Sequence, residues 1–307
     1  MLFYTTNELI EAIKRNISVP TAQKKFSPDD FIKFLNEEME LRIKSVLLEM
    51  KEDYYISILD VPLVASVSEY AIPSSAVGWK IDQVGYKDAD GNYRKLSRVS
   101  RSQRGRYRNI TDLANGPDAY YIEDNHVSLI PSMGTTASGS LVFDFVRINN
   151  TLVLEGECSL VSSVVDTGSA YELTVNTVTD TADGVDVVSG TNPFGIIARD
   201  ETAVVSGTTI TIASDNFERE PVKGDYVCST GTTPIPNIPS DYHQALAQAG
   251  AIRCLAASND LKGMQSAEAV LGQMLSSMSK RSSKRVSSSP RKIVSNSSIL
   301  NSMRGFY

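Results

Sequence analysis

The sequence predicts an α+β protein: a helical bundle built from both chain ends, a β-rich middle, an inserted all-β, sandwich-like domain, and an extended C-terminal tail. Three observations predict it. Apolar residues recur at helical spacing from Leu9 to Met50 and again from Leu246 to Met278, while the chain between alternates at strand spacing. From Ser159 to Thr232, Val, Thr, Ser, Gly and Asp dominate. From Lys280 to Tyr307 there are seven basic residues, no Asp or Glu, many Ser and no apolar period. Helical ends joined around β insertions argue against a doubly wound enzyme fold.

The first helix opens at Thr5, whose spacing to Glu8 fits a capping box, and Leu9, Ile10 and Ile13 share one face. Val19-Pro20 ends it, because a residue before proline is pushed out of the α region. Ser27-Pro28-Asp29-Asp30 starts a stronger helix, with a Ser N-cap, Pro in the first turn and acids at the positive end of the dipole. Phe31, Leu35, Met39, Ile43, Val46 and Met50 mark its apolar stripe over about 35 Å, with Lys33, Glu37, Glu40 and Lys44 facing out.

Strands come next. Tyr54–Leu59 and Ser66–Ile72 are short and β-branched or aromatic. Trp79–Lys87 and Tyr93–Val99 flank Asp88-Ala89-Asp90-Gly91-Asn92, a hairpin signal. Arg98 to Arg108 reads as a loop. Tyr120–Glu123 and Val127–Ile130 form a second hairpin, and Leu141–Ile148 alternates. Ala203–Ser206, Gly207 and Thr208–Ile212 give another hairpin inside the acidic segment, which ends at the proline-marked connector 234–239. Helix returns at Ser240 with a face rich in small residues. The division read from these patterns is 1–157 with 236–284 as one domain, carrying a β subdomain at about 53–150, then 158–235 as the insert and 285–307 as a docking tail.

Composition is that of an ordinary soluble chain, 41% apolar and 21% charged. The opening lacks a basic region followed by an apolar one, so no signal peptide is expected, and no membrane partner. Cys158, Cys228 and Cys254 form no CxxC pair; a bridge between Cys158 and Cys228 stays open. Net charge is −6, but placed in blocks: Arg94 to Arg108 holds seven basic residues and no acid, whereas Ser159 to Thr232 holds eleven acids against three bases. Such blocks point to partners.

Catalytic chemistry finds no foothold. His126 and His243 have no metal-ligand neighbours at helical or hairpin spacing; His126, beside a turn, reads as a surface or hydrogen-bonded residue, and His243, in the first turn of a helix, as a surface residue. Asp88-x-Asp90-Gly91-Asn92 lacks the Glu at position twelve of a calcium loop. No nucleophile elbow, Walker-A loop or dinucleotide fingerprint occurs. No catalytic residue, metal or cofactor is expected.

One succession of short motifs carries more. Ser68-Glu69-Tyr70-Ala71-Ile72-Pro73, the Asp-Gly hairpin, Pro117-x-x-Tyr120-Tyr121-Ile122-Glu123 and Val127-Ser128-Leu129-Ile130-Pro131 resemble, in that order, the head-to-tail adaptor (connector) proteins of short-tailed bacteriophages. The resemblance spans roughly 1–157 and 236–307 and leaves out the acidic insert. It implies a virion protein of the neck, assembled in the host cytoplasm as a dodecameric ring beneath the portal protein. Nozzle and tail-fibre proteins would bind below, and genomic DNA would pass the lumen without sequence-specific contact. It further implies that the C-terminal segment docks on the portal, which selects Lys284, Arg285, Arg291, Lys292, Ile299, Leu300, Met303, Arg304, Phe306 and Tyr307 as partner-binding residues. Arg98, Arg101, Arg104, Arg106 and Arg108 form a candidate charged contact loop. Two other classes stay open: a fibre or baseplate protein whose β-module binds a receptor or glycan, and a nucleic-acid-binding protein using the basic segments.

Overall fold

The computed structural model describes residues 4–17, 25–50, 55–100, 103, 116–131, 138–178, 184–191 and 195–282. Helix α1, Thr6–Ile17, opens on the expected reciprocal cap: the Thr5 N–H donates to Glu8 Oε2 at 2.9 Å and the Glu8 N–H to Thr5 Oγ1 at 3.4 Å. Helix α2, Pro28–Glu38, is capped by Ser27 in the same way, with Asp30 in the reciprocal position. A π-helical turn, Met39–Ile43, joins it to α3, Lys44–Met50. The cause is visible in the spacing. Phe31, Leu35, Met39, Ile43 and Leu47, all buried, are four residues apart, and an α-helix overshoots by about 40° per such step. One wider turn takes up the drift. It also rotates α3 about its axis, so Leu47 is buried in the core and Val46, half-buried, packs at its margin. Lys44, expected on the outer face, is buried, with its ammonium on Glu40 at 2.6 Å and over the Tyr55 ring.

Helix α4, Ser240–Ala257, is buried on nearly every side, and α5, Leu261–Ser282, covers one flank of it. Alanines and Gly250 let the neighbours come close: a Cβ on Gly250 would stand 2.8 Å from Ile13 Cδ1. Among the described residues seventeen strands form four sheets. The first has the order β1-β8-β3-β4, from Ile56–Pro62, Ser140–Arg147, Ala76–Lys87 and Tyr93–Lys95. The second, β2-β7-β6-β5, joins Glu69–Ala71, His126–Ile130, Ala119–Glu123 and Ser97–Arg98. Together they enclose a core around Phe143, Leu141 and Val84. A short parallel pair, β9 at Thr151–Leu152 and β17 at Thr232–Thr233, lies at the neck of the acidic segment.

All seven strands of the largest sheet lie between Ser159 and Ser229. They are β10 Ser159–Asp166, β11 Ala170–Val175, β12 Val185–Val188, β13 Ile196–Glu201, β14 Ala203–Ser206, β15 Thr209–Ala213 and β16 Tyr226–Ser229. Their order is β13-β12-β16-β10-β11-β15-β14. The two edge strands, β13 and β14, are consecutive in the chain with only Thr202 between them. The sheet must curl until its edges meet, which makes a nearly closed barrel around Leu173, Val187, Ile210 and Val227. Where β10 meets β16, Ser159 stands opposite Val227, so Cys158 stands opposite Cys228; both thiols are free and buried together.

The predicted fold class is therefore corrected. Among the described residues this is a mixed α/β protein dominated by sheet, with four helices if the stretch from Pro28 to Met50 counts as one, and not a helical bundle from both ends. Its acidic segment is a curled single sheet rather than a sandwich. Helical periodicity is a strong local signal, whereas pairings such as Ile56 with Val146 close over ninety residues and leave no local trace.

Candidate interaction surface and junction cavity

Of the residues expected to meet partners, Arg98 alone is described: it is exposed at the end of β5, opposite Tyr120. Arg101, Arg104, Arg106 and Arg108 lie outside the described residues, as do Lys284, Arg285, Arg291, Lys292, Ile299, Leu300, Met303, Arg304, Phe306 and Tyr307. The motif segments come together: Glu69–Ala71, Ala119–Glu123 and His126–Ile130 are three strands of one sheet. Tyr70 there ties down the preceding loop, accepting from the Val64 N–H at 2.9 Å and donating to Val67 O at 3.3 Å. His243 is not a surface residue: it is fully buried, its Nδ1 accepts from the Tyr4 N–H at 3.1 Å and its Nε2 faces Ile238 O at 3.2 Å. Burial pushes its pKa down to about 4, so it is neutral. The Asp88 carboxylate is taken up by its own turn, accepting from the Asp90 and Asn92 N–H groups at 2.9 and 2.8 Å.

Two features stand out that spacing did not reveal. The first is apolar surface at the free edge of the first sheet. β1 pairs with β8 on one side and has no described partner on the other. Ile58 is 67% exposed, and Ile56 and Leu59 are also exposed. Across the sheet, β3 bulges: six residues from Ala76 to Ile81 span what three residues of β8, Arg147 to Phe145, span. Trp79, the only tryptophan, sits in this bulge, exposed and with φ of 57°. A bulky residue in that left-handed region is strained, and strain of this kind concentrates at working surfaces.

The second is a cavity of about 180 Å³ where the first sheet, the barrel and the connector meet. It is lined by Tyr55, Ile56, Ser57, Arg147, Ile148, Asn149, Arg199 and Asn237. Arg147 closes β8 and Arg199 lies on β13, so the two cations come from different sheets. Arg147 Nε, Arg199 Nη1 and both side-chain atoms of Asn149 are buried without a hydrogen-bond partner. Burial, and then the Arg147 charge, lower the Arg199 pKa to about 10; burial lowers that of Arg147 too. Burial raises the Tyr55 phenol, and Asn149 beside it opposes that shift.

No family model and no curated protein matches the chain. The geometry therefore carries the chemistry by itself. Asp186, the first acid whose charge reaches both arginines, is spent on neutral donors: Oδ2 accepts from Asn150 Nδ2 at 2.7 Å and the Gly231 N–H at 3.0 Å, and Oδ1 from the Asp200 N–H at 2.8 Å. Among the described residues no carboxylate or histidine lines the cavity. The groups that do line it can hold an anion. Among the described residues no three His, Cys, Asp or Glu side chains gather as a metal site, and no helix is long and apolar enough to cross a membrane.

Proposed function

We propose that the protein is a structural subunit of a bacteriophage neck: a head-to-tail adaptor that closes into a ring, of twelve copies in the resembling proteins, beneath the portal. The ring joins the portal to the nozzle and to tail-fibre proteins and continues the DNA channel. The observation that carries this reading is the uncovered apolar edge of the first sheet, Ile56, Ile58 and Leu59 on a free strand, with Trp79 held out on a strained bulge. A free edge strand with exposed apolar side chains is an aggregation hazard unless another chain covers it. A ring gives every copy one neighbour for that edge and leaves no end uncovered. Tryptophan is the residue type most often found as an interface anchor. The gathering of the resembling segments into one sheet adds support, and the basic, Ser-rich C-terminal segment with its apolar end is suited to portal docking by the same chemistry.

The test is native mass measurement of the purified protein, alone and mixed with portal. A closed ring is expected, with Ile58→Lys lowering the oligomer while circular dichroism stays unchanged. A chain cut after Val286 is expected to remain folded and to stop joining portals. A full-length protein that stays monomeric with portal present, or an Ile58→Lys variant that assembles as well as the parent, would overturn the proposal.

A further inference from the structure

The geometry points to a binding site for a small oxyanion of the phosphate class in the cavity between the first sheet, the barrel and the connector, gripped by Arg147 and Arg199 and oriented by Asn149. Native proteins pair almost all buried polar groups, so several unpaired ones facing one space require an explanation. Here the unpaired atoms are one N–H donor on each of two cations, with the donor Nδ2 and the acceptor Oδ1 of an amide that is only 7% exposed. They reach the cavity from separate places, Arg147 and Asn149 from β8 and its end, and Arg199 from β13, with Asn237 of the connector completing the wall. Convergent donors on separate elements suit an anion with three or four oxygens better than a carboxylate with two, and guanidinium forks fit phosphate oxygens.

Electrostatics favour the same occupant. Two guanidinium groups brought together and partly withdrawn from water repel each other, and each is destabilised by its own burial. The acids that face them are Asp186, Asp200 and Glu218. Their charges attract the arginines from a distance, but Asp186 and Asp200 hold oxygens on neutral donors, Asp200 Oδ1 accepting from the Thr230 hydroxyl at 3.2 Å, and none of the three supplies an oxygen to the unpaired guanidinium N–H groups. Water could fill the space but brings no charge of its own to the gap between the two guanidinium groups. An oxyanion does both, and by bridging β8 to β13 it fastens the barrel to the sheet beside it. The site touches the proposed ring-contact edge at Ile56, but its donors, Arg147, Arg199 and Asn149, lie outside that edge.

The experiment uses the full chain in a zwitterionic buffer, titrated with inorganic phosphate, sulfate, acetate or chloride at matched ionic strength and followed by thermal unfolding and calorimetry. Phosphate and sulfate are expected to bind at one site per chain. They should raise Tm by about 4 °C at roughly fifty times their Kd, with acetate and chloride giving little. Arg199→Gln and Asn149→Ala should each weaken phosphate at least tenfold. In anion-free buffer Arg199→Gln should unfold no lower than the parent, because it removes a buried like charge; a merely structural arginine would behave in the opposite way. A duplex DNA arm at equal phosphate concentration identifies the source: competition with inorganic phosphate assigns the site to a nucleic-acid backbone, and its absence to a free anion. If phosphate and sulfate act as chloride does, or act equally on parent and Arg199→Gln, the cavity holds water and the inference is wrong.

Discussion

Asn36 takes the place of a missing strand, and replacing it with Ala tests how much of the helices' attachment to the barrel's neck runs through that side chain. β9 is only two residues long. The N–H groups of Thr151 and Val153 point to one side, donating to Gly231 O at 2.8 Å and Thr233 O at 3.1 Å. The N–H and C=O of Leu152 point the other way, where no described strand lies. There the Asn36 amide meets both: Leu152 N donates to Asn36 Oδ1 at 2.7 Å and Asn36 Nδ2 donates to Leu152 O at 2.9 Å. Leu152 is fully buried. Truncation leaves a buried donor and a buried acceptor unpaired, each costing about 1–3 kcal/mol. Asn36 is half-buried, so water can reach part of the gap, and a total of about 2–4 kcal/mol results. Urea unfolding measures the loss, and hydrogen exchange at the Leu152 amide locates it. Asn36→Asp keeps the acceptor for Leu152 N and should retain that amide's protection while losing part of the stability. A loss for Asn36→Ala under about 0.5 kcal/mol, with Leu152 exchange unchanged, would refute the reasoning.

The geometry sets two further outcomes. His243 has its pKa depressed in the folded state to about 4, against 6.5 when unfolded, so the unfolded chain binds the extra proton first. Its contribution is complete above pH 6.5 and is lost as pH falls toward 4, on the order of 3 kcal/mol in all; the difference in unfolding free energy between the parent and His243→Gln, measured from pH 7 to 4, should show that slope, and a flat difference would be against it. Refolding in oxidised glutathione should join Cys158 to Cys228, each protein disulfide releasing two reduced glutathiones, and leave Cys254 free. Peptide mapping checks it, and a bridge involving Cys254 would contradict the cross-strand register.

What the sequence disclosed was what is local. The Ser27 cap, the Thr5–Glu8 box, the Asp88–Asn92 turn and the hairpin at Gly207 are each set by a few adjacent residues, and each is found where spacing placed it. The share of sheet in the molecule was not legible, because β1 pairs with β8 and β10 with β16 across long stretches of chain. His243 misled because its neighbours in sequence, Asp241 and Gln244, are polar, while its neighbours in space are the Tyr4 and Ile238 backbones. The junction cavity was the least legible: Arg147, Asn149, Arg199 and Asn237 come from three distant segments with no common period. The one available sign was an arginine in line with buried strand residues, Ile196, Ile197 and Ala198 before Arg199.

The seven-stranded module also has a mechanical character. Its first strand, β10, and its last, β16, run side by side in opposite directions, with Cys158 and Cys228 at the mouth where both leave for the rest of the chain. A pull on the two neck segments would open this pair like a zipper, one hydrogen bond at a time, instead of shearing many at once. The module is thus built to yield at low force from its own attachment point, and a bond between the two sulfurs would transfer that load from the hydrogen bonds to a covalent link.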